Sequence, residues 1–159
     1  MPLIDLTGRQ VATTYRLAEE SAEPTPGAIV SLARLLATAE PPRPLGVVLQ
    51  PGDRLDALLP YLNRLDLICV AFPKFRDGRG FSTARALRDR HGFKGEIRAT
   101  GHVLPDQAHA LAACGVTTIE TPATHPPAQW QEFLAQPDAT PRQLLNRMMT
   151  RAASVQVAQ

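Results

Sequence analysis

The feature that most constrains this chain is a regular exchange of two hydrophobic periods between residues 45 and 136. Short strand-like runs (Leu45–Gln50, Leu67–Phe72, Glu96–Thr100, Val116–Glu120), apolar throughout or alternating, exchange with amphipathic stretches, and the connections are short. Runs of this length suit strands and the stretches between them suit helices. Leu67–Phe72 is apolar throughout, as expected of a strand buried on both faces. Strand–helix pairs in this order imply right-handed crossovers and parallel strands. The expectation is an α/β fold of four βα units with a mainly parallel sheet, either half a β/α barrel or an open sheet. Helices are expected after Asp53, from about Gly80 to Arg90, over Pro105–Ala113 and over Ala128–Ala135. Asp53 suits an N-cap. Pro60 falls inside the Leu55, Leu58, Leu59, Leu62 stripe and should shorten or kink that helix.

Residues 1–44 read as an N-terminal hairpin and helix. Leu3–Leu6 and Val11–Tyr15 flank the turn-like Thr7-Gly8-Arg9-Gln10. A helix is expected from Pro26 to Ala39, with Thr25 as N-cap and Ile29, Leu32, Leu36 and Ala39 on one face. Pro41-Pro42-Arg43-Pro44 separates this arm from the body at 45–136. A last helix over Pro141–Ala152 and an extended Ser154–Ala158 complete one 159-residue domain.

In the βα architectures, ligands meet loops at the carboxyl ends of the strands. Here those loops are 50–53, 73–80, 100–105 and 121–127. Charge singles out the second. The net charge is only +2, yet residues 74–98 hold eight basic and three acidic side chains. Such a local field on a near-neutral body favours a small anion or an acidic partner. Nucleic acid calls for a broader basic footprint with interleaved aromatics, and aromatics make up 5% of this chain. Lys74, Arg76 and Arg79 supply charge, and arginine can grip an oxyanion through two parallel bonds. Gly80, Phe81 and Ser82 open a helix whose first amides suit an anion. The same residues also suit a solvated basic loop with glycines for its turns.

Arg98 lies inside a strand, and alternation groups it with Glu96 and Thr100. One reading aims Arg98 at the same anion as the 73–80 loop. The other is a Glu96–Arg98 pair on an edge strand. His102, just past that strand, is the one candidate for proton transfer near neutral pH, and it equally suits an ordinary polar loop. Glu120 is a weaker candidate carboxylate. Asp106 is accounted for by a helix's first turn. Cys69 and Cys114 lack CxxC spacing and read as reduced core thiols. Trp130 and Phe133 fit a helix packing face. His91, His109 and His125 have no metal-ligand spacing, and no metal is expected. The start of the chain has no leader-like pattern, and no apolar run approaches a membrane span. A cytoplasmic location and no membrane partner are therefore expected.

Phe72-Pro73-Lys74-Phe75, Asp77-Gly78-Arg79-Gly80-Phe81-Ser82, Ala84-Arg85, Leu87-Arg88, Gly92-Phe93, Gly95-Glu96-Ile97-Arg98-Ala99, Asp106-Gln107 and Cys114-Gly115 together resemble the bacterial domain-of-unknown-function family numbered 934. That family is described as an oxidoreductase of sulfite reduction, and its members often lie beside the haem subunit of sulfite reductase. Members usually carry Val and Asp around the glycine at 101, where this chain has Thr100 and His102. The resemblance implies an accessory role in assimilatory sulfur metabolism, with the haem subunit as partner and a small oxyanion such as sulfite as ligand. It also implies, as an alternative, a redox enzyme working with a flavin or haem partner, while the basic surface by itself equally suits a protein–protein module without a small ligand. No cofactor is expected from the residues themselves. The phosphate end of a flavin mononucleotide is the only piece the 78–82 turn could take. The N-terminal hairpin and helix, and the last helix with Met148 and Met149, are candidate homodimer surfaces.

Overall fold

The computed structural model describes residues 1–74 and 76–136. The expected helix at 141–152 and the extended 154–158 lie outside them. Among the described residues seven strands form one sheet: β1 (Leu3–Asp5), β2 (Arg16–Leu17), β3 (Ala28–Ser31), β4 (Leu45–Leu49), β5 (Leu67–Phe72), β6 (Glu96–Gly101) and β7 (Thr118–Glu120). Their order is β1-β7-β6-β5-β4-β3-β2. From β3 to β7 each strand lies parallel beside its predecessor, and among the described strands only β1 is antiparallel, against β7. Because the winding never reverses, right-handed crossovers deliver every helix to the same side. The sheet curls into a half-barrel with helices outside and a concave face within.

Among the described residues five α-helices follow five strands: α1 (Leu32–Ala37), α2 (Leu55–Leu58), α3 (Arg79–Arg85), α4 (Ala108–Ala113) and α5 (Pro127–Leu134). The four expected units are present, and β3–α1 adds a fifth. Pro60 acts as expected, since α2 gives way to a 3-10 stretch over Leu59–Arg64. Past its last α-helical turn, α3 continues as π-helix over Ala86–Arg90. The main core lies between the helices and the convex face, with Val30, Val47, Val70, Phe72, Ile97, Ala99 and Ile119 meeting Leu35, Leu58, Ala84, Leu87, Leu111 and Trp130. Trp130 is fully buried there, whereas Phe133, expected on the same packing face, is 36% exposed.

Three expectations about local structure are corrected. The segment expected to be helical from Pro26 begins as strand β3, because Ile29 and Val30 are β-branched and extend the sheet beside β4. The helix starts only at Leu32, and its N-cap is Ser31, whose Oγ accepts the Arg34 amide at 3.1 Å, not Thr25. Asp53 does not cap α2: its carboxylate accepts the Gln50 amide at 2.7 Å and so closes the preceding turn. The N-terminal hairpin turn forms, since Asp5 Oδ1 accepts the amides of Thr7 and Arg9 and Ile4 bridges Gln10. Its second limb, however, is no strand over 11–15. It leaves β1 at one edge of the sheet, crosses the concave face, and becomes β2 at the other edge.

Candidate functional site

Among the described residues, the loop after β5 and the concave face are two places where chemistry-bearing side chains gather. The loop leads into α3 on the convex side. Lys74 and Arg76 are exposed. Arg79 is held by Asp77: its Nε and Nη2 donate to the two carboxylate oxygens at 2.9 and 2.7 Å, and its own amide donates to Oδ1 at 3.2 Å. These bonds to the charged form hold the Asp77 carboxyl down at about 2. Asp77 thus places a carboxylate where an incoming oxyanion would meet the helix start and the Arg79 fork.

Gly80 is not a flexible turn residue. It is buried in α3, and a Cβ there would stand 2.5 Å from Cε1 of Phe72. Glycine at this position lets the helix close onto the Phe72 ring, which in turn meets Phe81 edge-on at 5.2 Å. Ser82 is exposed. His102 is exposed just past β6, its amide donating to the Phe72 carbonyl at 2.7 Å. The Gly101 that precedes it has φ +94°, and a Cβ there would meet that same carbonyl oxygen at 2.6 Å. The end of β6 is thereby pressed against β5.

Arg98 is not brought to this loop. It lies mid-strand on the concave face, 5% exposed. Its Nε and Nη2 donate to Glu96 Oε1 at 3.0 and 2.9 Å, and Nη2 donates to Thr13 Oγ1 at 3.0 Å. The Glu96–Arg98 pair exists, but in an interior strand and under the crossing segment rather than on an edge. Glu96 Oε1 also accepts the Thr118 hydroxyl. Arg88, another member of the basic cluster, turns inward and donates from Nε to the Gly115 carbonyl at 3.0 Å and from Nη1 to the Phe93 carbonyl.

Around Arg98 the concave face holds a cleft of about 240 Å³. Ile29, Val48 and Cys69 form its apolar floor, Thr100 and Glu120 one polar side, and Thr13 and Tyr15 of the crossing segment its roof. Burial pushes the Cys69 thiol up to about 12, so it is a neutral packing group. Glu120 is brought beside Arg98 by the parallel pairing of β6 with β7, and Thr13 and Tyr15 only by the segment that crosses the concave face from β1 to β2, which no local pattern announces. Among the described residues no group of three His, Cys, Asp or Glu side chains could hold a metal ion, and no helix is long and apolar enough to cross a membrane.

Comparison with known families places the chain. Residues 46–143 match the family described as bacterial protein of unknown function DUF934. The chain belongs to that family. The match begins with β4, runs through the basic loop, Arg98 and Glu120, and passes the end of α5. No curated protein matches the chain.

Proposed function

We propose that this DUF934 protein is an accessory component of sulfite reduction that docks an acidic surface of a partner, the haem subunit of sulfite reductase, through its cationic segment at 74–94. The sulfite assignment rests on the family resemblance. The choice of an acidic macromolecule over a small oxyanion rests on one observation: Asp77 already provides the anion at the Arg79 fork. What the segment then offers is exposed charge, from Lys74, Arg76, Arg85, Arg90 and Lys94. Dispersed surface cations steer association and fix register more than they grip one ion. Under this reading the electrons stay with the partner's haem, and the chain supplies orientation.

Biolayer interferometry against the purified haem subunit tests the proposal. Affinity should fall at least about tenfold from low to high salt, and Lys74→Glu with Arg85→Glu should cause a similar loss, mostly in the association rate. Binding that ignores both salt and these substitutions would refute the docking surface. Saturable calorimetric binding of sulfite that Lys74→Ala abolishes would restore the oxyanion reading in its place.

A further inference from the structure

We propose that the concave cleft is a binding site for a small zwitterion, an α-amino acid with a short apolar side chain. The inference is independent of the docking surface, which lies on other residues.

One donor in the cleft is unspent. Arg98 is buried, and its Nε and Nη2 are committed to Glu96 and Thr13. Its Nη1 makes no hydrogen bond to any described residue, yet it is not among the sealed, partnerless atoms of the interior. It therefore opens on the cleft that Arg98 lines. A buried guanidinium donor facing a cavity wants an acceptor, and a carboxylate is the strongest one available.

Charge then excludes a simple anion. The cleft and its wall carry one guanidinium against two carboxylates, Glu96 and Glu120. Glu96 is already spent on Arg98 and Thr118. Glu120 lines the cleft, and no side-chain bond ties it to a described residue. Sulfite or sulfate would meet a net negative wall, and a bare amine would leave Nη1 unanswered. A ligand with both charges satisfies both groups.

Spacing agrees. Arg98 pairs with Thr118 across β6 and β7, and Glu120 lies two residues further along on the same face. The two are diagonal neighbours with Cβ atoms roughly 7–8 Å apart, a gap that two long side chains can close around one ammonium and one carboxylate. Thr100 stands between them as a further hydroxyl. Leu17, Ile29 and Val48 give the remaining wall its apolar character. The volume of about 240 Å³ is that of roughly eight water molecules, the heavy-atom count of a branched-chain amino acid.

Isothermal titration of the full chain with L-valine, isovalerate and isobutylamine tests the inference. L-valine should bind saturably. Each truncated analogue, lacking the ammonium or the carboxylate, should bind at least about tenfold more weakly, the loss of one charge-assisted contact. Glu120→Gln should weaken L-valine by a similar factor and, by removing a negative charge from the wall, leave isovalerate bound as well or better; Thr100→Val should weaken both. Thermal melts establish that the variants fold. The inference is overturned if L-valine gives no saturable heat at millimolar concentration, if isovalerate binds as well as L-valine, or if Glu120→Gln binds L-valine like the wild type.

Discussion

Replacing Gly80 by alanine separates two uses of a glycine by the sign of one measurement. If Gly80 served only to free the backbone at a helix start, alanine would be neutral or would stabilise α3, by up to about 1 kcal/mol. The structure gives it another use. The added methyl would sit 2.5, 2.6 and 3.0 Å from Cε1, Cζ and Cδ1 of Phe72, where carbon atoms prefer about 3.5–4.0 Å. The ring would have to retreat by about 1 Å. It is 1% exposed and already packed edge-on against Phe81. Overpacking of this kind costs about 1–3 kcal/mol. Net of the helix gain, Gly80→Ala should therefore lose about 1–2 kcal/mol, or a Tm lower by about 2–8 °C for a domain of this size. Urea unfolding followed by the fluorescence of the fully buried Trp130 reads the change. In a Phe72→Leu background the alanine should become neutral, giving a coupling of about 1 kcal/mol or more. A Tm equal to or above wild type in the single variant, or additive effects in the double, would refute the packing argument.

Three further outcomes are expected. Arg98→Ala should lose roughly 2–3 kcal/mol in urea melts, because it strips packing and leaves Glu96 facing the cleft alone; Arg98→Met, which keeps the stem, should lose less. The Asp77 carboxyl titrates at about 2 in the folded chain and near 3.9 when unfolded. Its stabilising contribution is therefore present above about pH 4 and lost as pH falls toward 2, so the Tm gap between wild type and Asp77→Asn should close over that range. Cys69 titrates at about 12 against an ordinary 9.0, and both cysteines are buried. Neither should react with Ellman's reagent within minutes at pH 8, and both should react in denaturant. The contribution of the buried neutral Cys69 thiol should persist below pH 9 and fade toward 12.

The body of the sheet was legible because parallel strands buried on both faces must be apolar, and Leu67–Phe72 shows that with no other signal needed. Pro60 was equally legible, since its missing amide acts locally. The arm was not. Ile29, Leu32 and Leu36 fit one helical face, and only the adjacent β-branched Ile29-Val30 hinted at the four-residue strand Ala28–Ser31. Alternation correctly grouped Glu96, Arg98 and Thr100, but it could not say which side of the sheet they occupy. In a sheet wound one way, helices cover one face only, so charged residues alternating through an interior strand mark the face without helices. That rule would have separated Arg98 from the 73–80 loop. Its contact with Thr13 follows from tertiary closure alone. In the loop, the Asp77–Arg79 pair was within reach of a local reading, since a single residue, Gly78, separates the charges.

The segment from Thr7 to Tyr15 bears on how the fold is completed. Among the described strands the first pairs only with the last, at Thr118–Glu120, so during synthesis this pairing must wait for nearly the whole described chain to emerge. Until then nothing anchors the amino end to that edge, and the hollow side of the half-barrel is uncapped. The strap that roofs Arg98 is thus a late-closing loop of high contact order, and its docking is a slow step by topology. A chain truncated before Thr118 should form its central strands and still leave that hollow open to solvent.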